Sequence, residues 1–453
     1  MAIRLAPLLV AASLLAATSG GSQAACGSIG GIEFPLRVSP GKHYPTDRVG
    51  HPFFMHGEAA WSLIADLKEE EAYRYLDDRK ARGFNTVLVS LLEHRFARNA
   101  PANAYGERPF AKDDFGTPNE AYFAHADRIL QKACELGFLV MLTPAYLGYG
   151  GLVDGWYGEM TQAGSEKLHA YGRFVGSRYR DFENIMWVNG GDFDPPDMDL
   201  VRAVANGVME EDPDALGTVH NAPETAPLEF WGYEPWLQVN NVYTYGPVHS
   251  AAIREHNIGR GMPFFLMESA YEFEHGADEH RVRIQAYHAI LSGAFGHLYG
   301  NNPIWHFGGP GLHPPTMEWT EALDSPGARS MEMLLEFVSS VKWWLLEPDS
   351  KNRLLVDGIG KDMKRAVAAM AKDGSFAVVY MPGNKGVTVD LARFPASLVA
   401  ARWRDPTSGE VTVVDGSPFT AGTHSFKPPR NNGRGYPDWI LELVPADPTE
   451  QSQ

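Results

Sequence analysis

The sequence predicts an α/β chain: a (β/α)8 TIM barrel followed by a small all-β sandwich. Three observations carry that reading. Short apolar runs alternate with amphipathic helical patterns along most of the chain, which implies parallel strands joined by crossover helices. Two of the runs end in a carboxylate, as strands at a barrel mouth do. Beyond Leu346 the helical periodicity stops, and short strand-like runs separated by turn residues replace it.

Each barrel element has its own signal. The first strand is read over 53–56, running into Gly57 and Glu58, and the second over 86–90. The third falls at 138–142, the fourth at 185–188 and a weaker fifth at 216–220. The sixth, seventh and eighth are read at 238–242, 263–267 and 296–299. Between them, Phe123, Leu130, Ala133 and Cys134 share one helical face, as do Leu168, Tyr171, Val175 and Tyr179. Val282, Ala286, Ala289 and Ile290 repeat the pattern before the eighth strand. The Pro-rich span 223–235 marks the fifth helix poorly. In the tail, strands are read at 366–371, 376–380, 386–391, 399–403 and 439–444, with a linker at Glu347-Pro348-Asp349. The domain layout is a leader at 1–24, a barrel at 33–346 and a sandwich at 350–447.

The bulk numbers exclude more than they assert. A chain of 453 residues fits one barrel plus one small domain. The formal net charge of -17 argues against nucleic acid or an anionic membrane as partner. Arg4, an apolar stretch over 5–17 and the small residues around Ser22-Gln23-Ala24 read as a secretory leader cut after Ala24. That expectation places the protein outside the cytoplasm, secreted or periplasmic. Gln23 fits a lipidation motif at Cys26 poorly, and no later stretch is apolar enough to span a bilayer. Cys134, on its helical face, reads as a small buried hydrophobe; export permits a disulfide to Cys26, but the sequence does not indicate one. With no zinc spacing of Cys and His, neither a metal nor another cofactor is expected.

Asp192 and Glu268 lead the candidate residues. Asp192 closes Asn189-Gly190-Gly191-Asp192 after the fourth strand, and Glu268 ends the apolar run over 263–267. Desolvating a carboxylate is costly unless it has partners or a task. Two acids at one barrel mouth are the minimal equipment for cutting a glycosidic bond. A turn acid that caps a helix remains the plainer reading of Asp192, and Asp194 is its rival. Glu272 and Glu274, past the seventh strand, read as solvated or loop residues. Trp61, Tyr146, Tyr149, Tyr243, Tyr245 and Trp305 each follow a strand and offer faces for sugar C–H surfaces. His56, Glu58, His94, Asn189, Asn240, His297 and Asn301 add polar groups near strand ends. No nucleophile elbow, Walker loop, dinucleotide fingerprint or H-E-x-x-H is present.

The segments His56-Gly57-Glu58-Ala59-Ala60-Trp61, Arg82 to Asn85, Asn189 to Asp192, Phe265 to Tyr271 and Gly296 to Gly300 resemble the apiosidase-like proteins of glycoside hydrolase family 140 over about 33–345. The tail segment Ala401 to Pro406 with Ser408-Gly409 resembles the β domain, named for collagen binding, that commonly follows that barrel. The resemblance implies an Asp acid/base after strand four and a Glu nucleophile after strand seven, the places of Asp192 and Glu268. Glu58 and Ala59 depart from the family's Gly-Asp-Thr-Ala-Trp. The expected activity is a retaining hydrolase of a complex polysaccharide or oligosaccharide. Glu58, Trp61, Tyr146, Asn189, Asn240, Tyr243, His297 and Trp305 are the residues expected to contact the sugar, and Tyr243 is expected to orient the nucleophile. The alternative is a carbohydrate-binding or adhesion protein on the same fold.

Overall fold

The computed structural model describes residues 26–112, 114–259 and 261–446; the leader read at 1–24 lies outside the described residues. Eight parallel strands form a nearly closed barrel: β1 (Met55–Ala59), β2 (Thr86–Ser90), β3 (Leu139–Thr143), β4 (Ile185–Gly190), β5 (Leu216–His220), β6 (Asn240–Tyr243), β7 (Phe264–Glu268) and β8 (Gly296–Tyr299). They are hydrogen-bonded in the order β5-β4-β3-β2-β1-β8-β7-β6. The β5–β6 seam is closed outside the regular ladder. Gln238 and Val239 N–H groups donate to the Gly217 carbonyl at 3.0 and 3.1 Å. The Asn241 side-chain amide donates to Thr218 Oγ1 at 3.2 Å and to the Val219 carbonyl.

A helix follows each strand: α1 (Glu69–Ala81), α2 (Glu120–Leu136), α3 (Tyr157–Tyr179), α4 (Met198–Glu211), α5 (Pro227–Trp231), α6 (Val248–Ile258), α7 (Glu279–Ile290) and α8 (Pro326–Ser339). The short α5 sits where the Pro-rich span obscured a helix. Side chains alternate across each strand. Met55, Leu88, Met141, Met186, Val188, Phe265 and Met267 pack together as an inner cluster. Val87, Val140 and Trp187, their neighbours in sequence, belong to the cluster that packs against the helices. Several strands run one or two residues further toward the mouth than the apolar runs did, because their last residues are polar.

Cys26 and Cys134 form a disulfide, which corrects the reading of Cys134 as an unpaired buried hydrophobe and leaves Cys26 no free thiol. Gly27 N–H also donates to the Cys134 carbonyl at 2.7 Å, so the first described residues are fastened to the end of α2.

The sandwich packs two antiparallel sheets over a core that includes Val379, Val389, Ala401, Trp403 and Leu441. Its main strands are β11 (Val367–Ala371), β12 (Ala377–Met381), β13 (Val387–Asp390), β14 (Leu398–Arg404) and β18 (Trp439–Pro445). The segment expected to be a linker, Glu347-Pro348-Asp349, is largely structured: β9 (Leu346–Pro348) pairs with β11 as an edge strand. Four shorter strands also lay below the sequence signal: β10 (Leu355–Asp357), β15 (Val411–Val413), β16 (Phe419–Thr420) and β17 (Thr423–Phe426).

One buried ion pair clamps the sandwich to the barrel. Arg283 on α7 donates from Nε and Nη2 to both oxygens of Asp438, at 2.8 and 2.9 Å, with both side chains fully buried. Tyr380 donates to the same carboxylate at 2.9 Å, and its ring stacks on Tyr287 of α7. Removing one partner of such a pair leaves a buried charge uncompensated, at a cost of about 3–5 kcal/mol.

The disulfide closes a long loop (sequence separation 108) in the unfolded chain. Replacing both cysteines by serine is expected to lower unfolding stability by about 2–5 kcal/mol. Denaturant titration checks this, and reductant should lower the wild type to the level of the variant.

Candidate active site

The carboxyl ends of the strands frame one cleft, lined by Trp61, Ser90, Glu93, Phe96, Tyr146, Asp192, His220, Tyr245, Glu268, Tyr271, Glu274, Trp305 and Leu312. This is the mouth at which a parallel barrel gathers residues distant in sequence.

Asp192 reaches the cleft through a tight turn. Its own φ is 50°, in the left-handed region that non-glycine residues seldom occupy. Gly191, at φ 146°, must be glycine, because a Cβ there would lie 2.4 Å from the Tyr146 ring and 2.7 Å from the Leu147 nitrogen. The turn is pinned to the end of β5. Gly191 N–H donates to the His220 carbonyl at 2.8 Å, and Asp192 N–H donates to His220 Nδ1 at 2.6 Å.

That second bond fixes the imidazole. Nδ1 accepts, so the ring proton sits on Nε2 and is donated to Glu268 Oε2 at 3.0 Å. Tyr245 donates to Glu268 Oε1 at 3.0 Å. Asp192 in turn accepts from Tyr243 at 3.0 Å on Oδ1 and from Tyr146 at 3.3 Å on Oδ2. Tyr243 and Tyr245 hydroxyls lie 3.2 Å apart, so the two acids are joined by three consecutive hydrogen-bond lengths. Burial first, then the charge of Glu268, push the Asp192 carboxyl up to about 6, against the donors Tyr243 and Tyr146.

Two further acids line the cleft. Glu93 accepts the N–H groups of Arg95 and Phe96 at 3.1 and 3.0 Å, and burial raises its pKa. Glu274 accepts from Trp305 Nε1 at 2.8 Å; burial and then Glu268 push it up to about 7. Trp61 donates from Nε1 to Tyr271 at 3.1 Å, which holds both rings at the mouth.

Of the residues expected to contact a sugar, Trp61, Tyr146 and Trp305 line the cleft with the acid pair, and Tyr243 sits behind Asp192. Tyr243 is bonded to Asp192 rather than to Glu268; Tyr245 is the phenol on the nucleophile candidate. Four others face the wrong way. Glu58 is fully buried between β1 and α1, where it pairs with Arg79 at 3.2 Å and accepts from Tyr75 at 2.7 Å. Asn240 donates to Glu255 of α6 at 2.9 Å. Asn189 donates to the Thr218 carbonyl at 3.5 Å, on the face that carries Trp187. His297 meets His56 at 3.3 Å, and burial pushes His297 down to about 3, so it is neutral. Strand alternation explains these four corrections: nearness to a strand end was read, but side was not.

The rival acids are structural. Asp194 accepts from Asn221, the Ala222 N–H and Thr225. Glu272, expected in solvent, is fully buried and held by Tyr299, Asn301 and the Gly327 N–H. His94 pairs with Glu159 away from the cleft lining, and Asn301 serves Glu272. His220, Glu93, Ser90, Phe96 and Tyr271 were not singled out. Reading β5 with period two from Thr218 would have placed His220 at the mouth. No cluster of His, Cys, Asp and Glu fit to hold a metal ion occurs among the described residues.

Ionising Asp192 opposes folding, because its native pKa lies above the unfolded value. The native state therefore binds more protons between about pH 4 and 6, and the stability cost is complete above 6. Asp192→Asn is expected to raise stability at pH 7.5 by about 1–3 kcal/mol, a gain that vanishes near pH 4. Thermal or urea unfolding across that range checks the sign.

Comparison with known proteins shows the family and the fold. Residues 39–345 match the family model "Apiosidase-like, catalytic domain". Residues 348–444 match "Putative collagen-binding domain of a collagenase". No curated protein matches significantly. A solved glycoside hydrolase aligns with TM-score 0.79 and 25% identity, covering 91% of this chain and 97% of its own. A family 5 glycoside hydrolase from Bacteroides vulgatus aligns with TM-score 0.80 and 24% identity, covering 90% and 93%. The chain belongs to the apiosidase-like catalytic-domain family and carries a glycoside hydrolase fold.

Proposed function

We propose that the protein is an exported retaining glycosidase that releases a sugar from a complex polysaccharide or oligosaccharide. One observation carries the reading: two acids share one cleft, and their surroundings pull their protonation states apart. Glu268 faces the cleft and accepts hydrogen bonds from His220 and Tyr245. Asp192 is desolvated and keeps its proton to about pH 6.

The chemistry then runs in two displacements. Glu268 attacks the anomeric carbon while Asp192 gives its proton to the departing oxygen, which leaves a glycosyl ester on Glu268. Asp192, now an anion, takes a proton from water as that water attacks the same carbon. The ester bond breaks, and both acids return to their starting states. Retention goes with carboxyl groups roughly 5–5.5 Å apart and inversion with roughly 6.5–9.5 Å. The match to the apiosidase-like family model supports a glycan substrate, with apiosidase-like release as the first activity to test. The Cys26–Cys134 disulfide supports an oxidising compartment, in line with the leader.

Charge narrows the sugar. Glu93, Asp192, Glu268 and Glu274 line the cleft, and none of its lining residues is Lys or Arg. A uronate would bring another carboxylate into this group without a counter-charge. The glycone is therefore a neutral, hydroxyl-rich sugar.

Glu268→Gln and Asp192→Asn should each fold and lose turnover by about 10²–10⁴-fold. A release assay over pectic and other complex glycans, with the product anomer followed by NMR, tests this. Wild-type turnover by Glu268→Gln refutes the assignment, and binding without release over the whole panel favours a carbohydrate-binding protein. Turnover should decline above about pH 6, as Asp192 loses its proton. Among matched aryl glycosides, the neutral sugar should exceed its uronate counterpart by at least about tenfold in kcat/KM, the discrimination worth about 1.4 kcal/mol; equal values would contradict the charge argument.

A further inference from the structure

We propose that Tyr243 and Tyr245 form a reversible two-phenol relay that keeps one proton, and only one, on the Asp192–Glu268 pair of the resting protein. The proposal rests on the acid and nucleophile roles given above and adds a function for the pair of phenols between them.

Proton counting carries the argument. Three gaps connect the acids: Asp192 Oδ1 to Tyr243 at 3.0 Å, Tyr243 to Tyr245 at 3.2 Å, and Tyr245 to Glu268 Oε1 at 3.0 Å. Each gap holds one proton when satisfied, and the two phenols supply two. With both acids ionised, Tyr243 donates to Asp192 and Tyr245 donates to Glu268. The phenol oxygens then face each other at 3.2 Å with no proton between them. One proton on Asp192 Oδ1 fills every gap: Asp192 donates to Tyr243, Tyr243 to Tyr245, and Tyr245 to Glu268. A second proton, on Glu268, would leave one hydrogen too many for the same three gaps. A chain of aligned donors also polarises along its length, which favours the singly protonated state further.

The surroundings decide which acid holds the proton. Glu268 receives a second donor, His220 Nε2–H at 3.0 Å, from a ring locked by the Asp192 N–H. Asp192 receives only the longer Tyr146 bond on its other oxygen. The charge therefore rests on Glu268 and the proton on Asp192. Around them stand Glu274 and Tyr271 beyond β7, and Glu93 and Asp154 near Tyr146. All of these groups remain in place when the relay is cut.

The relay also runs backwards. Once Glu268 is a neutral ester and Asp192 has given up its proton, Tyr245 donates to Tyr243 and Tyr243 to Asp192. Each phenol only rotates its own hydrogen; no O–H bond breaks and no net proton moves. Stabilisation follows the negative charge from one acid to the other across the two steps.

Tyr245→Phe cuts the relay without removing the donor from Asp192. Tyr245 is 44% exposed at the mouth, so the substitution leaves the packing intact. The readout is a ¹³C NMR titration of carboxyl-labelled aspartate, with the Asp192 resonance assigned from Asp192→Asn. Asp192 should titrate near 6 in the wild type and about one pH unit lower in Tyr245→Phe, the worth of the one phenol–phenol hydrogen bond that only the singly protonated pair makes. Tyr146→Phe, which removes a donor outside the relay, should move the midpoint upward. An unchanged or raised midpoint in Tyr245→Phe overturns the relay. The titration needs no substrate, so it decides the relay separately from the glycosidase reading; if turnover is present, the basic limb of kcat/KM should fall with it.

Discussion

The site depends on one constraint: two carboxyl groups share a cleft in which burial and the neighbouring acid both oppose the ionisation of Asp192. Desolvation and the neighbouring charge act on Asp192, while His220 and Tyr245 donate to Glu268. Under the proposed function, differences of environment of this kind make an acid and a nucleophile out of two similar side chains. His220 ties the pair to the backbone. Its Nδ1 accepts the N–H of Asp192, and its Nε2 donates to Glu268, so one ring sets the turn geometry and the orientation of the opposite acid.

The rest of the barrel holds that arrangement still. The glycine turn brings Asp192 in at a backbone conformation few residues adopt, and bonds to β5 restrain it. The seam between β5 and β6 carries His220 on one side and Tyr243 on the other, and Asn241 bonds across it. On the outer side, Arg283 and Asp438 join α7 to the sandwich through a bidentate, fully buried pair. Because α7 directly follows the loop carrying Glu274, the β domain braces one wall of the cleft.

The sequence made the barrel, the sandwich and the acid pair legible, for particular reasons. Apolar runs such as Phe264 to Met267 mark buried strands, and helices such as α2 and α4 turn one apolar face inward. Asp192 and Glu268 stood out because each follows such a run. Glu58, Asn189, Asn240 and His297 stood out for the same reason but belong to the other face of their strands. There the partners are Arg79, Thr218, Glu255 and His56, residues whose proximity only the tertiary fold creates. His220 went unread because its strand was weakly marked. The disulfide and the edge strand β9 depend on pairing across long separations, which local pattern does not encode.

Covalent trapping tests the central claim most directly. A panel of neutral 2-deoxy-2-fluoro glycosides with a good leaving group slows the second displacement more than the first, so a glycosyl ester accumulates. Peptide mass spectrometry should then find one sugar on the peptide containing Glu268, and none in Glu268→Gln. A sugar attached at another residue, or turnover of the parent glycosides with inversion and no trapped ester, would contradict the account.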